Sequence, residues 1–462
     1  MPYKKVLHTF IGIAVFVLAL FLLPGGVFSF EARIALATTG LMIYWWITRP
    51  VHLAVTALMP ILAGALFSAA PMNTVLDDYF SPIVALLLGA GVLVACWKRS
   101  GLDRRIAMRA LTLLGTSVRL QLIVWFVLST VLSMFLPNVV VAATLCPIAV
   151  AMVRTSMGEK KNNKTLYLIL ISIVWGAGLG GFGTPLGGAM NLVAIEHIEA
   201  YTGQEFMYIT WTARMLPYLA VLAAGTCAYL LFIKTDTKHL SGSRTYFKEE
   251  YAKLGKMRRA EILSLVLFLV AVALAFTRPL YAPLLKDFKP FYAFLLMGIT
   301  AFFLPGEPGK RLMKWDFAAK NINWGLILLF SGGMAAGNLL VSTGAAQAIA
   351  DTVSSGGLTS LFALGAVFIA LGMFLSNASS NTAATAVLIP IVISIAGALG
   401  ADPLPSVFIA AAACNCAYIL PTSIRAIPVG YGLDVGFMLK RGVAAVVICY
   451  AVLVAAAAIA IL

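Results

Sequence analysis

The sequence predicts an all-α polytopic membrane protein, and three observations lead to that fold class. Of the 462 residues, 61% are apolar and 11% are charged, whereas soluble domains carry about 45–50% apolar and about 25% charged residues. Apolar stretches of roughly 20 residues, the length of a transmembrane helix, cover most of the chain. These stretches lack the alternating period of an outer-membrane barrel. A multi-pass protein of the inner (plasma) membrane is therefore expected.

Charge and motif content argue against other classes of protein. The 33 Lys and Arg residues exceed the 18 Asp and Glu residues, and orientation in the bilayer explains this excess better than nucleic-acid binding. The four histidines are scattered, and the six cysteines lie inside apolar runs as small core residues. The sequence has no phosphate-binding loop and no nucleophile elbow. We expect the lipid bilayer as a partner, no nucleic acid and no enzymatic activity.

Thirteen apolar segments are separated by polar breaks. They lie near 6–28, 34–48, 51–70, 81–97, 120–153, 165–195, 211–233, 260–276, 290–304, 324–341, 358–397, 404–431 and 438–461. Segments 120–153 and 358–397 are too long for one span and tight for two, and each has a polar, helix-breaking centre. Because non-helical backbone at membrane depth must be covered by protein or line a water-filled cavity, both are predicted to be re-entrant hairpins. Eleven transmembrane helices remain.

The distribution of basic residues sets the orientation. With a cytoplasmic N-terminus and non-crossing hairpins, 27 of the 33 Lys and Arg residues fall on the inside and five on the outside. This bias satisfies the positive-inside rule. The C-terminus is then expected outside, the hairpin 120–153 on the cytoplasmic side and the hairpin 358–397 on the outer side.

Landmark residues repeat at one fixed offset along the chain. Gly101 and Gly344, Ala107 and Ala350, Asn138 and Asn381, and Pro147 and Pro390 are all 243 positions apart. The predicted units are a first transmembrane helix in 1–33, a first repeat in 34–233, a cytoplasmic linker in 234–259 and a second repeat in 260–461. The corresponding spans run in opposite directions. Inverted repeats with broken helices that meet near the bilayer midplane are typical of secondary transporters.

The residues at these breaks are the candidate binding site. Asn138 and Asn381 occupy the two hairpin tips, where freed N–H groups at helix N-termini attract anions. The alternative role of a buried amide is to hold helices together. Glycine and proline also open the helical segments 165–195 and 404–431 after each hairpin. These two breaks add Thr184, Pro185, Gly188, Pro421 and Thr422 as candidate substrate contacts.

Arg425 is the one charged residue well inside an apolar segment. Charge at membrane depth is costly and marks a functional hypothesis. We expect a fixed cation that neutralises an anionic substrate, since a planar guanidinium suits a carboxylate. The alternatives are an arginine that snorkels to the cytoplasmic face or pairs with carbonyl groups for structure.

At these residues the chain resembles the divalent anion/sodium symporter family, within the wider ion-transporter superfamily. The resemblance covers nearly the whole chain and is carried by 101–107, Leu132-Ser133-Met134 with Asn138, and Ser380-Asn381-Thr382 with Pro390. In that family a Ser-Asn-Thr triplet at each hairpin tip binds substrate carboxylate. The second triplet is intact here, whereas Pro137 and Val139 flank Asn138 in the first.

The resemblance implies further properties. Substrate contacts would include Val139, Ser380 and Thr382, and two sodium sites would use Ser133, Asn138 and Gly188, and Ser376, Ser379 and Asn381. The protein would be a homodimer in which hairpins and broken helices move as elevators against a scaffold of the early spans. The family also contains sodium-independent exchangers. Since Pro137 replaces a serine of the first triplet and Arg425 lies near an asparagine position of the second break, the departures favour exchange.

The expected function is secondary transport of small di- or tricarboxylates, with Arg425 as counter-charge and no required cofactor. A sodium-coupled dicarboxylate symporter, with Na⁺ as coupling ion, and an inorganic-anion or proton-coupled carrier of the same superfamily remain alternatives. A channel is less compatible with closed hairpins. An intramembrane enzyme would need a nucleophile–base pair or a metal, which the breaks do not supply.

Overall fold

A computed structural model describes residues 2–112, 115–158, 163–355 and 360–461. Lys160 and Lys161, which belong to the inside count above, lie outside the described residues, as do the first two positions of the 358–397 segment. The described chain is almost entirely helical. A short antiparallel pair of strands, β1 (Pro305–Glu307) and β2 (Lys310–Arg311), closes the turn after one helix.

The helices follow one another with short connections. The first seven are α1 (Pro2–Leu22), α2 (Phe30–Thr48), α3 (Leu53–Thr56), α4 (Met59–Phe67), α5 (Met72–Asp77), α6 (Pro82–Ser100) and α7 (Leu102–Leu111). The next six are α8 (Val118–Ser133), α9 (Asn138–Met157), α10 (Lys164–Gly180), α11 (Ala189–Thr202), α12 (Tyr208–Phe232) and α13 (Ser243–Lys253).

The second half of the chain contains eleven further helices. They are α14 (Arg259–Phe276), α15 (Arg278–Tyr281), α16 (Pro290–Phe303), α17 (Trp315–Asn321), α18 (Trp324–Ser342), α19 (Ala345–Ser355), α20 (Leu361–Ala378), α21 (Asn381–Ala398), α22 (Leu404–Ala413), α23 (Ala426–Gly430) and α24 (Val435–Ile461). Single 3₁₀ turns occupy Asp78–Phe80, Pro185–Gly187 and Ser423–Arg425.

Within the described ranges, nine helical segments are long and apolar enough to cross a membrane. They are Tyr3–Leu22, Met72–Ser100, Asn138–Met157, Tyr208–Phe232, Arg259–Phe276, Trp324–Ser342, Leu361–Ala378, Asn381–Ala398 and Val435–Ile459. The all-α, multi-pass class expected from composition is confirmed. The number of eleven transmembrane helices and the re-entrant path of the hairpins stay predictions, because helix length and composition do not decide them.

Two helix pairs are interrupted by very short breaks. Four residues, 134–137, separate α8 from α9, and two residues, 379–380, separate α20 from α21. In the second pair the Ser380 hydroxyl accepts the N–H of Ala383 at 3.2 Å, which caps the N-terminus of α21. Local capping and a proline at 137 therefore decide where α9 and α21 begin.

Close backbone contact holds α10 against α8. A Cβ atom at Gly180 would lie 2.0 Å from the Thr130 carbonyl oxygen, and one at Gly176 would lie 2.4 Å from the Phe126 carbonyl oxygen. Small residues allow this approach between membrane helices. This contact holds the break between α8 and α9, residues 134–137, next to the end of α10.

A buried ion pair joins α7 to the start of α14 and to the end of the linker before it. The Arg105 Nε donates to Glu261 Oε1 at 2.8 Å, and its Nη atoms donate to the carbonyls of Gly255 and Leu254. The hydrogen bond from Arg105 to Glu261 raises the pKa of Arg105. This cluster anchors α7 to the start of α14, at the end of the molecule that carries α13.

Candidate functional site

One cavity collects residues from the α8–α9 break, the α20–α21 break and the break after α10. The first two breaks are called hairpin tips below, after the helix–break–helix pairs that contain them, whatever their path through the membrane. Its volume is about 970 Å³. The residues at the breaks that line it are Phe135, Pro137, Asn138, Val139, Leu186, Gly187, Gly188, Ala189, Met190, Ser380, Asn381, Thr382, Ser423 and Ala426. The chain thus brings together positions that are more than 240 residues apart in sequence.

Three helices begin at the wall of this cavity. The first residues of α9, α11 and α21 are Asn138, Ala189 and Asn381, and all three line the cavity. The N-terminus of a helix carries free N–H groups and the positive end of the helix dipole. Three such ends around one space favour an anionic ligand.

The cavity wall also carries more positive than negative side chains. Arg49, Lys98 and Arg104 line it together with Asp103, whose carboxylate accepts a hydrogen bond from Thr144 at 3.2 Å. The cavity extends as far as Tyr246 in α13. A net positive wall concentrates anions.

The chain between α10 and α11, residues 181–188, is here called the first loop. Asn191 lies behind it and is 1% exposed. Its amide donates to the carbonyl oxygens of Gly181 at 2.7 Å and Thr184 at 2.8 Å. The Thr184 hydroxyl donates to the Met134 carbonyl in the break between α8 and α9. Thr184 therefore ties the first loop to the hairpin tip and does not line the cavity.

The chain between α22 and the 3₁₀ turn at Ser423, residues 414–422, is here called the second loop. Arg425 is 2% exposed and directs its donors at this loop. Its Nε donates to Leu420 O at 2.8 Å, its Nη1 to Ala417 O at 3.1 Å and its Nη2 to Ser376 O at 3.1 Å. Its Nη2 also donates to the Thr422 hydroxyl.

Arg425 is therefore placed differently from the sequence-based expectation of a guanidinium that contacts the anion. It does not line the cavity, and its donors are used by main-chain oxygen atoms and one hydroxyl. This arrangement matches the alternative in which the arginine pairs with carbonyl groups. The physical reason is that an uncoiled loop at membrane depth leaves carbonyls without partners, and a five-donor group satisfies several of them.

The other expected site residues divide into two groups. Asn138, Val139, Gly188, Ser380, Asn381 and Thr382 line the cavity. Thr184, Pro185, Pro421, Thr422, Ser133, Ser376 and Ser379 lie outside its lining. Hydroxyls of the last three donate to Ala177 O at 2.7 Å, Met373 O at 3.1 Å and Leu375 O at 2.8 Å respectively.

Two asparagines that sequence reasoning did not single out as binding residues organise the second tip. Asn377 accepts the N–H groups of Tyr418 at 2.9 Å and Ile419 at 2.8 Å through its Oδ1. Asn415 is 1% exposed and its Oδ1 accepts a hydrogen bond from Asn381 at 3.1 Å. Asn377 belongs to the polar centre of segment 358–397 and Asn415 is an amide within an apolar run, and these positions were the available signal.

Arg49 was also missed as a site residue, because its position at the end of an apolar segment made it one of the inside charges. In the structure it lines the cavity beside the second hairpin tip. Sequence alone offered no signal that the end of α2 reaches this tip.

These features define a membrane transport protein rather than an enzyme: helices long enough to cross a bilayer, breaks between them and a positively lined cavity at the breaks. The model of the family described as "Citrate transporter" matches residues 43–413. The chain belongs to this family. The expected membership of a dicarboxylate-transporter family is thereby confirmed.

Curated relatives extend the similarity over most of the chain. A protein of Staphylococcus saprophyticus named sodium-dependent dicarboxylate transporter SdcS is 28% identical over 440 residues, which cover 91% of this chain and 84% of that protein. A protein of the same name from Staphylococcus aureus is 28% identical over 409 residues, which cover 85% and 78% respectively.

Proposed function

We propose that the protein is a secondary active transporter that exchanges small di- or tricarboxylates without sodium. Asn138, Asn381 and their flanking residues form the anion site, and Arg425 holds the place of one coupling cation. The substrate class is supported by the names of the relatives and by three helix N-termini around one positively lined cavity.

The hydrogen bonds of Arg425 carry the sodium-independent part of the proposal. Sodium is a hard cation that prefers oxygen ligands, as calcium and magnesium do. Main-chain oxygens of Ser376, Ala417 and Leu420 converge on the Arg425 guanidinium instead. Ser376 is one of the residues assigned by resemblance to the second sodium site. A permanent positive charge there would replace a bound ion.

The transport cycle is proposed to be of the elevator type, in a homodimer with inverted repeats. The fixed offset of 243 positions and matching loop contacts support the repeats. The Thr184 hydroxyl donates to Met134 O, and the Thr422 hydroxyl donates to Asn377 O, at positions 134 and 377 that share this offset. A cavity that reaches Tyr246 of the basic linker is then the inward-facing state, with a cytoplasmic N-terminus.

Sodium-coupled symport is the second candidate, since one observation favours it. At the first break, Asn138 and Gly188 both line the cavity, and no arginine takes the place of a cation among the described residues there. Ser133 lies close behind, with its hydroxyl on Ala177 O. One sodium site could thus persist beside the arginine-filled second site, in line with the relatives' printed names.

Counterflow in proteoliposomes separates the two functions. Purified full-length protein is reconstituted with or without internal succinate, and uptake of labelled succinate is followed in sodium chloride or choline chloride. Exchange predicts uptake only into loaded vesicles and equal rates in both salts. A strict sodium requirement would instead establish symport, and citrate and sulfate as competitors test the substrate class.

A further inference from the structure

Arg49 ends α2 and lies in the cavity wall beside the second hairpin tip. Its Nη2 donates to the Ser379 carbonyl oxygen at 3.4 Å, which is a long hydrogen bond. The next residues of that tip, Ser380, Asn381 and Thr382, line the same cavity. The guanidinium is therefore next to the point where α21 begins.

The guanidinium of Arg49 has unused hydrogen-bonding capacity. Its Nε is buried and has no partner, and within the described chain its side chain makes the one long bond to Ser379. Arg425, by contrast, uses Nε, Nη1 and Nη2 on four acceptors. A buried donor without an acceptor is unfavourable. The Nη1 atom makes no hydrogen bond within the described chain and is not among the buried atoms without a partner, so it is the donor left for the oxygen atoms of a ligand in the cavity.

The backbone of Arg49 is held in an uncommon conformation. Its φ is 52°, in the left-handed region, and its N–H donates to Trp45 O at 2.8 Å as the cap of α2. Pro50 follows directly and restricts the preceding residue further. Such residues persist where the surrounding structure fixes them, and they cluster at ligand sites. The side chain of Arg49 is thus presented to the cavity by a constrained turn.

Arg49 makes no ion pair with any residue that the structure describes. Arg49 and Arg425 donate to carbonyl oxygens only three positions apart, those of Ser379 and Ser376, so two positive charges lie at the same hairpin tip. The ion pairs made by the described residues involve other arginines and lysines. An anion between the hairpin tip and α2 would offset the repulsion between these charges.

We infer that Arg49 binds one carboxylate of the transported substrate while the N-termini of α9 and α21 bind another. Its planar fork matches a carboxylate. Arg49 then sets the preference for substrates with two negative charges over those with one. This inference rests on the proposed carboxylate-transport function and adds the residue that selects within that class.

Binding of succinate and of succinamate to the purified full-length protein tests the role of Arg49. The two ligands have the same length, but succinamate replaces one carboxylate by an amide. We expect the wild-type protein to prefer succinate at least tenfold. The variant Arg49→Gln keeps a polar side chain but loses the charge and is too short to contact Ser379 O. It is expected to bind succinate roughly 10- to 100-fold more weakly, with little change for succinamate.

The matched control is Arg33→Gln, which removes the other arginine of α2, bonded to Leu20 O. It should leave the ratio of the two affinities unchanged. Equal weakening of both ligands by Arg49→Gln, or no change in either, overturns the inference and leaves Arg49 as a tether of the hairpin. A wild-type protein without preference for succinate overturns it as well.

Arg49→Lys keeps the test decisive if the glutamine variant does not fold. The lysine variant keeps the positive charge but lacks the planar fork, so it should still prefer succinate. Its affinity for succinate should fall more than its affinity for succinamate. An equal change for both ligands contradicts the inference. A wild-type protein that binds neither ligand refutes the carboxylate function itself, which is a distinct result.

Discussion

The first and second loops solve the same structural problem with different side chains. In each loop, one buried donor behind the break contacts two main-chain carbonyls three positions apart. These are Gly181 and Thr184 for Asn191, and Ala417 and Leu420 for Arg425. In each loop a threonine hydroxyl also donates to a carbonyl at the neighbouring hairpin tip.

The difference between the loops is charge and reach. Asn191 is neutral and contacts its own loop, whereas Arg425 is cationic and also reaches Ser376 O at the hairpin tip. The hydrogen bonds that hold an uncoiled loop can therefore be made by either group. Only the arginine adds a fixed positive charge to the carbonyl oxygens of the tip.

The largest effect is expected for Arg425→Asn, which makes the second loop resemble the first. Several buried carbonyls lose their donor, at about 1–3 kcal/mol each. We expect a loss of about 3 kcal/mol or more in the free energy of unfolding and no transport in choline. If the guanidinium replaces a cation, sodium should partly restore both the stability and the transport of this variant. Thermal unfolding and counterflow in the two salts measure this.

Arg425→Lys is the control for charge in this experiment. It should keep sodium independence with reduced stability, because an ammonium lacks the planar fork. A failure of sodium to stabilise Arg425→Asn more than the wild type would contradict the idea that the arginine stands in for an ion.

A smaller effect is expected for Asn191→Leu, which removes the neutral donor of the first loop. Two hydrogen bonds to buried carbonyls are lost, for about 2–3 kcal/mol of stability. Sodium should not restore it, because no charge was removed. Thr202→Val on the same helix, whose hydroxyl bonds to Ile198 O within α11, should change stability by about 0.5 kcal/mol or less. Rescue of Asn191→Leu by sodium would erase the distinction between the loops.

The smallest effect is expected for glycine-to-alanine changes that compare helix packing beside the first tip with packing beside the second. Gly180→Ala brings a methyl group against the Thr130 carbonyl. Gly372→Ala is the corresponding change in α20, and there the nearest atoms are side-chain atoms at 3.2 Å. Overpacking costs about 1–3 kcal/mol, so Gly180→Ala should be the more destabilised in thermal melts. Gly178→Ala, with its nearest atom at 3.7 Å, is the control. Equal melting temperatures for Gly180→Ala, Gly372→Ala and Gly178→Ala would show that α10 can shift away from α8 without a loss of stability.

Much of the site could be predicted because helix breaks are local events. Pro137 and the run from Ser376 to Thr382 marked the tips, and the structure places Asn138 and Asn381 in one cavity. The contacts of Arg425 could not be predicted. Its partners, Ser376, Ala417 and Leu420, are carbonyl groups, which every residue type carries, so no side-chain pattern identifies them.

The sequence by itself determined the membrane class, the helical content and the positions of the breaks. Hydropathy over about 20 residues and the backbone limits of proline and glycine act within a short stretch of chain. Tertiary structure alone decided which arginine faces the cavity. Arg49 meets Ser379 across 330 positions, and Arg425 turns to loop carbonyls, because the choice of partner depends on which surfaces packing brings within hydrogen-bond distance.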